Sequence, residues 1–410
     1  SGVVEETAAG LAAEAAGRKG SVSVMTARIL EAAGRKCGLY TSPHLLRWKE
    51  RISLAGSEMD EDLILQAMAE VLPLVDGLGP EAFHGGELPT YFELTTLVGF
   101  LAFRLAHCDA AVIETGLGGR LDSTNIVDSA ATIITPIELE HTEWLGDSLA
   151  KIAFEKAGII KPGRPCFLAS QKPEALEVFE RACRERQSPL FPVAEAAHIE
   201  LLGLDRRGTE ARIALQGPGP LSEAQVYRSP MVATVQAENM ALALLAARAL
   251  VPDLDPAAAK AGLARASLPA RFQILATEPP IVLDGAHTPN SIRICLESFN
   301  SLFPGPADLL FACAHDKHHA QMAEILKDRF QEVTITRPGR FKPSEPEAVA
   351  ESFGLREGRC RLIDDTAEAL AQARETARAG SRPLLVAGSF YLCSEAASAW
   401  ESGLVARPLP

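Results

Sequence analysis

Short apolar runs alternate with longer stretches of helical periodicity along most of the 410 residues. This alternation constrains the fold more than any other feature. A strand buried on both faces reads as an unbroken apolar run, and the crossover to a parallel neighbour needs a longer, usually helical, segment. "AAVIETGLGG" (110–119) reads as a buried strand running into a glycine-rich turn, and "ATIITPI" (131–137) as a second strand. "SLAKIAFEKAGII" (148–160) reads as a helix stopped by Pro162 and Gly163. "TYFELTTLVGFLAFRLA" (90–106) is apolar on nearly every face, which predicts a core helix rather than a surface one. Between about 196 and 232 the runs shorten and turn signals such as "QGPGP" intervene, predicting a small β-rich extension, with a helix after it at "AENMALALLAARAL". Past "ASLPARFQIL" the alternation restarts: "PIVLDGAH", "ADLLFACAH", "EVTITRP" and "RPLLVAGS" read as strands separated by helices.

The expected fold is therefore α/β. A P-loop-type, mostly parallel sheet with its β-rich extension occupies 1–268, and a smaller doubly wound α/β domain occupies 269–410. A chain this long exceeds what one hydrophobic core usually serves, which also favours two domains. With 47% hydrophobic and 23% charged residues it has the make-up of an ordinary soluble globular protein. A net charge of −13 disfavours general affinity for nucleic acid or anionic membranes, although a local basic cluster still serves a small anion. Eight cysteines without a C-x-x-C pair suit reduced thiols better than a disulfide framework or a zinc site. No apolar run reaches membrane-spanning length and no basic-then-apolar leader opens the chain, so a cytoplasmic location is expected.

Polar residues at the ends of apolar strands carry the chemistry, because open α/β sheets bind ligands there. Glu114 closes "AAVIE" ahead of "TGLGGRLDSTN"; a carboxylate beside a glycine turn can hold a hard cation, and a solvated strand-end glutamate is the plainer alternative. Glu140 and His141 follow the next strand, and a shared edge with Glu114 would make His141 a metal ligand. Lys156 sits between apolar residues of a helix. A lysine shielded from water can react as the neutral amine with carbon dioxide to give an anionic carbamate, yet a snorkelling side chain explains the residue on its own. Thr41 and Ser42 precede Pro43 and could reach a phosphate or metal-bound water; an ordinary turn accounts for them equally. Asp284 and His287, in "VLDGAHTPNS", follow a strand and precede a helix, where nucleotide contact and a simple helix cap compete. "HDKHH" (315–319) crowds a helix start without an obvious further ligand, which disfavours a metal site. "GRKGS" (17–21) puts Gly17, Lys19, Gly20 and Ser21 ahead of a helical pattern, a weak phosphate-loop signal by itself.

In their order, "LYTSPHLLRWKERI", "TYFELTT", "ETGLGGRLDSTN", "ELEHTEWLGDSLAKIAFEKAGIIKPG", "DGAHT" and "VAGSFYL" resemble the folylpolyglutamate synthases and dihydrofolate synthases of the Mur ligase superfamily, over about residues 17–400. The resemblance implies an ATP- and Mg2+-dependent ligase that adds L-glutamate to dihydropteroate, to reduced folates, or to both, as a monomer. It implies that Lys19 neutralises phosphate, with Gly17, Gly20 and Ser21 around the nucleotide. Ser21, Ser42, Glu114, His141 and a carbamylated Lys156 would then ligate metal, and Lys19, Glu114, His141 and Lys156 would be the catalytic set. Asn239, Arg271, Asp284 and His287 match nucleotide-contacting positions. Thr90, Tyr91, Phe92 and Glu93, with Leu121, Asp122 and Ser123, match a pterin-binding wall in which Phe92 could pack on a flat ring.

The N-terminal residues point the other way. "ETAAGLAAEAAGRKGS" has helix-forming composition and no β-branched run, so no strand is expected before Lys19. Arg18 stands where the resembled family has glycine, at a cost of about 1–2 kcal/mol if that backbone is left-handed. Two alternatives stay open: a Mur-type ligase for another carboxylate, against which "TYFE" and "LDSTN" argue, and, from this N-terminus, an impaired relative that keeps the pterin pocket but binds ATP poorly.

Overall fold

The computed structural model of the protein describes residues 9–14, 18–83, 86–339, 342–354 and 359–403. It divides into two compact units: 1–202 with 210–229 and 237–267, and 268–410 with 203–209 and 230–236.

The first unit is built on eight strands: β1 (Ala9–Glu14), β2 (Cys37–Tyr40), β3 (Ile52–Leu54), β4 (Ser57–Glu58), β5 (Ala110–Glu114), β6 (Ser129–Ile134), β7 (Cys166–Leu168) and β8 (Leu190–Pro192). Their order in the sheet is β4-β3-β2-β5-β1-β6-β7-β8. From β2 to β8 every neighbour is parallel, and β3 and β4 add an antiparallel hairpin at one edge. The segment expected to lack a strand is thus the sheet's central one. Ala9–Ala13 pairs with Ala110–Glu114 on one side, and Gly10–Glu14 with Ser129–Ile134 on the other. Alanine's helix preference amounts to fractions of a kcal/mol per residue, whereas a strand flanked on both edges satisfies its backbone groups in two ladders.

Helix α1 (Lys19–Ala32) follows β1 and is buried from Gly20 to Leu30 with little interruption. α2 (Glu61–Asp76) and α3 (Tyr91–Leu105) cover one face of the sheet, enclosing Tyr40, Ile52, Phe103 and Ile113. α3 buries one side only: Tyr91 is 61% and Leu97 40% exposed, so the expectation of a core helix holds for its Thr95–Phe103 face and not for its whole circumference. α4 (Thr142–Leu145), α5 (Leu149–Ala157) and α6 (Pro173–Glu185) follow; α5 and α6 pack with β6 and β7 around Ile152, Phe179 and Leu168.

After a short α7 (Val193–Ala196) come β9 (Ala197–Asp205), β10 (Gly208–Leu215) and β11 (Gln225–Ser229), the three-stranded extension expected near 196–232. α8 (Gln236–Leu250) and α9 (Pro256–Ala264) close this part of the chain.

The second unit carries β12 (Gln273–Thr277), β13 (Pro280–Leu283), β14 (Asp308–Phe311), β15 (Glu332–Ile335), β16 (Cys360–Leu362) and β17 (Leu384–Ala387) in the order β12-β13-β17-β14-β15-β16. All pairs are parallel except the β12–β13 hairpin, so the sheet is mixed. Helices α10 (Pro289–Leu302), α11 (His319–Leu326), α12 (Pro346–Phe353), α13 (Thr366–Ala379) and α14 (Phe390–Glu401) join the strands. The core fills with Phe272, Phe299, Phe311, Phe330 and Phe353. Among the described residues no helix is long and apolar enough to cross a membrane, and all eight cysteines are unpaired.

Candidate active site

Parallel strands β2, β5, β1 and β6 all end on the same side of the sheet, where Ser42, Glu114 and Lys19 meet. Glu114, the last residue of β5, is only 3% exposed. Its Oε2 accepts from the Ser42 amide at 3.1 Å, and its Oε1 lies 3.8 Å from Lys19 Nζ. Lys19 also donates to the carbonyls of Thr115 (2.5 Å) and Gly116 (2.8 Å). A buried carboxylate costs several kcal/mol unless paired or hydrogen-bonded, and these contacts supply both. The solvated-glutamate alternative is excluded by its burial.

Lys19 is the first residue of α1, the helix that follows β1 in the chain, and a helix N-terminus is a favourable place for a phosphate. Arg18, the residue before it, has φ −108° and ψ −21° and offers no side-chain cap; α1 carries no acid in its first turn. The helix-end N–H groups and their partial positive charge are therefore not spent on a side chain. The backbone at Arg18 lies in the right-handed region, and the left-handed penalty does not arise. Its guanidinium instead pairs with Glu238 at 2.8 Å, while the other oxygen of Glu238 accepts from the Ser170 amide at 2.9 Å. That clamp fastens the start of α8, and with it the buried Asn239, to the residue before α1. Gly20 and Ser21 are buried in the first turn of α1; Gly17 lies outside the described residues.

The glycine turn after β5 is fixed from two sides. Asp122 Oδ2 accepts from the amides of Gly116 (3.0 Å) and Leu117 (2.8 Å), and its Oδ1 from the amide and hydroxyl of Thr124. A Cβ on Gly119 would stand 2.7 Å from the Glu155 carbonyl and 3.0 Å from Lys156 Cα, so only glycine lets the turn lie on the end of α5. Arg120 donates its amide to that same carbonyl at 2.7 Å, and Asn125 bridges the carbonyls of Arg120 and Gly158. Lys156 is 8% exposed, which excludes a snorkelling side chain. His141, left-handed at φ 53°, opens α4 and is exposed. Gln171 holds the approach to it through the Ile137 amide and the Thr135 carbonyl. Lys19, Ser42 and Glu114 are thus in direct contact, while Lys156 lies in the last turn of α5 and His141 at the start of α4, both in the same unit.

Beside this edge α3 begins with a capping box: Thr90 Oγ1 accepts from the Glu93 amide, and Glu93 Oε2 takes both the amide and hydroxyl of Thr90 at 2.7 Å. Those bonds hold Glu93 below the usual carboxylate range. Phe92 packs over Gly116 and meets Tyr40 edge-on at 6.1 Å. Ser123 and Thr96 share a 3.0 Å hydrogen bond, whereas Leu121 is 79% exposed. Asp122 and Glu93 therefore fasten backbone, and Tyr91, Phe92 and Leu121 present apolar surface.

In the second unit Asp284 follows β13. Its oxygens accept from the amides of Phe272 (2.9 Å) and Ala286 (2.8 Å). Burial raises its pKa; Arg271 and those amides oppose the rise. The cap of α10 is Thr288, paired with Ser291, and not Asp284. His287 Nδ1 donates to the Gly285 carbonyl at 2.8 Å, and its amide donates to Ser291 Oγ. Arg271 lies over the Phe390 ring at 5.4 Å and has a buried Nε without a hydrogen-bond partner. In "HDKHH", His318 and His319 start α11, and His319 bonds Ser352. Among the described residues no three His, Cys, Asp or Glu gather into a metal-ligating group.

The Arg18–Glu238 clamp and Thr115, whose buried Oγ1 lacks a partner beside Lys19, were not anticipated. Residues 220 positions apart leave no periodic signal, and a threonine after a strand-end glutamate resembles any turn residue.

Residues 270–390 match the family model described as Mur ligase, glutamate ligase domain. The chain is 32% identical over 398 residues to a probable bifunctional folylpolyglutamate synthase/dihydropteroate synthase of Haloferax volcanii, covering 95% of this chain and 46% of that protein, so it spans about half of that relative's length. It is 32% identical to a folylpolyglutamate synthase of Lacticaseibacillus casei, covering 92% and 86%, and 32% identical to a dihydrofolate synthase/folylpolyglutamate synthase of Escherichia coli, covering 91% and 82%. Among solved structures, a Mycobacterium tuberculosis folylpolyglutamate synthase complexed with ADP superposes with a TM-score of 0.88 at 26% identity, covering 100% of this chain and 93% of that one. A folylpolyglutamate synthase–AMPPCP–folate complex superposes at 0.82 and 27%, covering 96% and 90%.

Proposed function

Since this chain belongs to the folylpolyglutamate synthase/dihydrofolate synthase family of ATP-dependent ligases, we propose that it is a monomeric, cytoplasmic enzyme joining L-glutamate to dihydropteroate, to a reduced folate, or to both. The observation that carries this reading is the convergence of Lys19, Ser42 and buried Glu114 beside the uncapped start of α1. That arrangement argues against an impaired relative with a degraded phosphate loop.

In the reaction an acceptor carboxylate oxygen attacks the γ-phosphorus of ATP and ADP departs, leaving an acyl phosphate. The amine of L-glutamate then attacks the acyl carbon, phosphate leaves with the C–O bonding electrons, and the nitrogen loses its proton to solvent. Lys19 and the N–H groups of α1 offset charge on the phosphoryl oxygens, and most of the acceleration comes from positioning and electrostatics. Thr90–Glu93 and Leu121–Ser123 line the acceptor's ring system, with Phe92 and the backbone at Gly116 as its flat floor. Asn239, Arg271, Asp284 and His287 serve the nucleotide; the unsatisfied Nε of Arg271 fits an anionic ligand.

The donor set suits magnesium. A buried carboxylate, the Ser21 and Ser42 hydroxyls and the unsatisfied Thr115 hydroxyl are hard oxygen ligands, and Mg2+ characteristically takes one or two carboxylates plus phosphate and water. Glu114, Ser21, Ser42, His141 and a carbamylated Lys156 would hold it. When bound it would neutralise charge on the transferring phosphoryl group.

The test is ATP-dependent phosphate release with L-glutamate, with dihydropteroate in one assay and tetrahydrofolate in the other. Turnover with at least one acceptor is expected, together with its loss in Glu114→Ala. Failure of the wild-type protein to bind Mg–ATP at millimolar concentration would instead favour the impaired relative.

A further inference from the structure

Arg51 is a half-buried cation in the first unit for which the mechanism above has no use. It lies just before β3, and its carbonyl accepts from the Thr41 amide at 3.0 Å. The next residue along from Thr41 is Ser42, whose amide donates to Glu114. Consecutive Cα atoms are about 3.8 Å apart, so the Arg51 backbone stands one residue from the metal-ligating edge.

The guanidinium is aimed by two neighbours. Its Nε donates to His44 Nδ1 at 2.8 Å, and its Cζ lies over the Tyr91 ring, 5.9 Å from the centroid. Tyr91 belongs to the wall assigned to the acceptor. Because His44 accepts through Nδ1, that nitrogen carries no proton. Glu50, the nearest acid in sequence, is occupied elsewhere. Its carboxylate takes the amides of Leu45 (2.6 Å), Leu46 (3.0 Å) and Arg47 (2.7 Å), folding the loop that carries His44. Among the described residues no carboxylate pairs with Arg51, although Arg47 and Lys49 on the same loop both pair with Glu58. A planar guanidinium held at Nε by a neutral acceptor and against an aromatic face leaves its terminal N–H groups for a carboxylate fork.

We propose that Arg51, positioned by His44 and Tyr91, binds the non-reacting carboxylate of an acceptor that already carries glutamate. The inference rests on the ligase reading and deepens it. Dihydropteroate has a single carboxylate, which is the one that reacts, whereas the terminal glutamate of a reduced folate has a second. Arg51 would therefore favour folate extension over the first glutamylation.

Steady-state kinetics of Arg51→Ala against wild type test this. We expect KM for tetrahydrofolate to rise about tenfold or more, with KM for ATP and for dihydropteroate changed less than about threefold. His44→Ala should reproduce part of the rise with kcat kept, and His44→Gln, which retains an acceptor for Nε–H, should restore it. An unchanged KM for tetrahydrofolate overturns the proposal, as does an equal rise for both acceptors. A rise confined to ATP would give the guanidinium to a nucleotide phosphate and also overturn it. Equilibrium binding of the two acceptors separates this inference from the ligase reading. If wild type turns over neither, the ligase reading fails, while weaker tetrahydrofolate binding to Arg51→Ala, with dihydropteroate binding unchanged, still supports the subsite.

Discussion

At the scale of single residues, charge placement explains the site better than residue type alone. Lys19 lies outside the hydrophobic clusters and is tied to two carbonyls and a carboxylate at the sheet edge. Lys19→Arg, which keeps a cation beside buried Glu114, should therefore lower kcat by about 10-fold or more while leaving the thermal midpoint nearly unchanged. A fall in both by comparable measure would make the lysine structural. Asp122→Ala should do the reverse first: it strips acceptors from the amides of Gly116, Leu117 and Thr124, costing about 1–3 kcal/mol, seen as a shift in the urea midpoint. His44 provides a pH signature. Its folded pKa lies below the ordinary value because of burial and Arg51, against the pull of Glu50. The unfolded chain therefore binds the proton first as pH falls below about 6.5, and folded stability drops through that window. In His44→Gln the drop should be smaller, and equal pH slopes in the two proteins would remove His44 as its source.

Among the elements, periodicity disclosed the strands that are apolar by their own residues and concealed those made by their neighbours. β5, β6, β13, β14, β15 and β17 all lie within runs that are apolar without help from context. β1 does not: its alanines favour helix locally, and it becomes the central strand because both ladders beside it would otherwise be open. β12, an antiparallel edge, and the short, largely exposed β16 gave little signal for the same reason. The turn of residues 115–120 shows what sequence can and cannot give. Its glycines announce close approach, but what they approach, the backbone of α5, is brought there by the fold. Gly119→Ala should force that turn away from Lys156, costing about 1–3 kcal/mol and most of the turnover. Gly203→Ala, with no heavy atom near its added methyl, should stay within about 0.5 kcal/mol of wild type. Comparable losses in the two variants would refute the packing argument.

Over the whole molecule, two separately built sheets each carry polar residues past their strand ends: Glu114 and Lys19 in one unit, Asp284 in the other. The alternation of runs was enough to anticipate both sheets, and the polar residues at strand ends were enough to nominate both groups. What escaped was side-chain pairing, whether distant, as in Arg18 with Glu238, or local, as in Arg51 with His44, because neither an ion pair nor a hydrogen bond of this kind has a period. The central claim is that Glu114 and Lys19 hold a nucleotide phosphate while glutamate is joined to a pterin-bearing carboxylate. Mass spectrometry of the acceptor after incubation with ATP, Mg2+ and labelled L-glutamate tests it most directly. The expected result is one added glutamyl residue per ADP formed with wild type and none with Glu114→Ala. An unmodified acceptor with wild type, or undiminished glutamylation by Glu114→Ala, would contradict it.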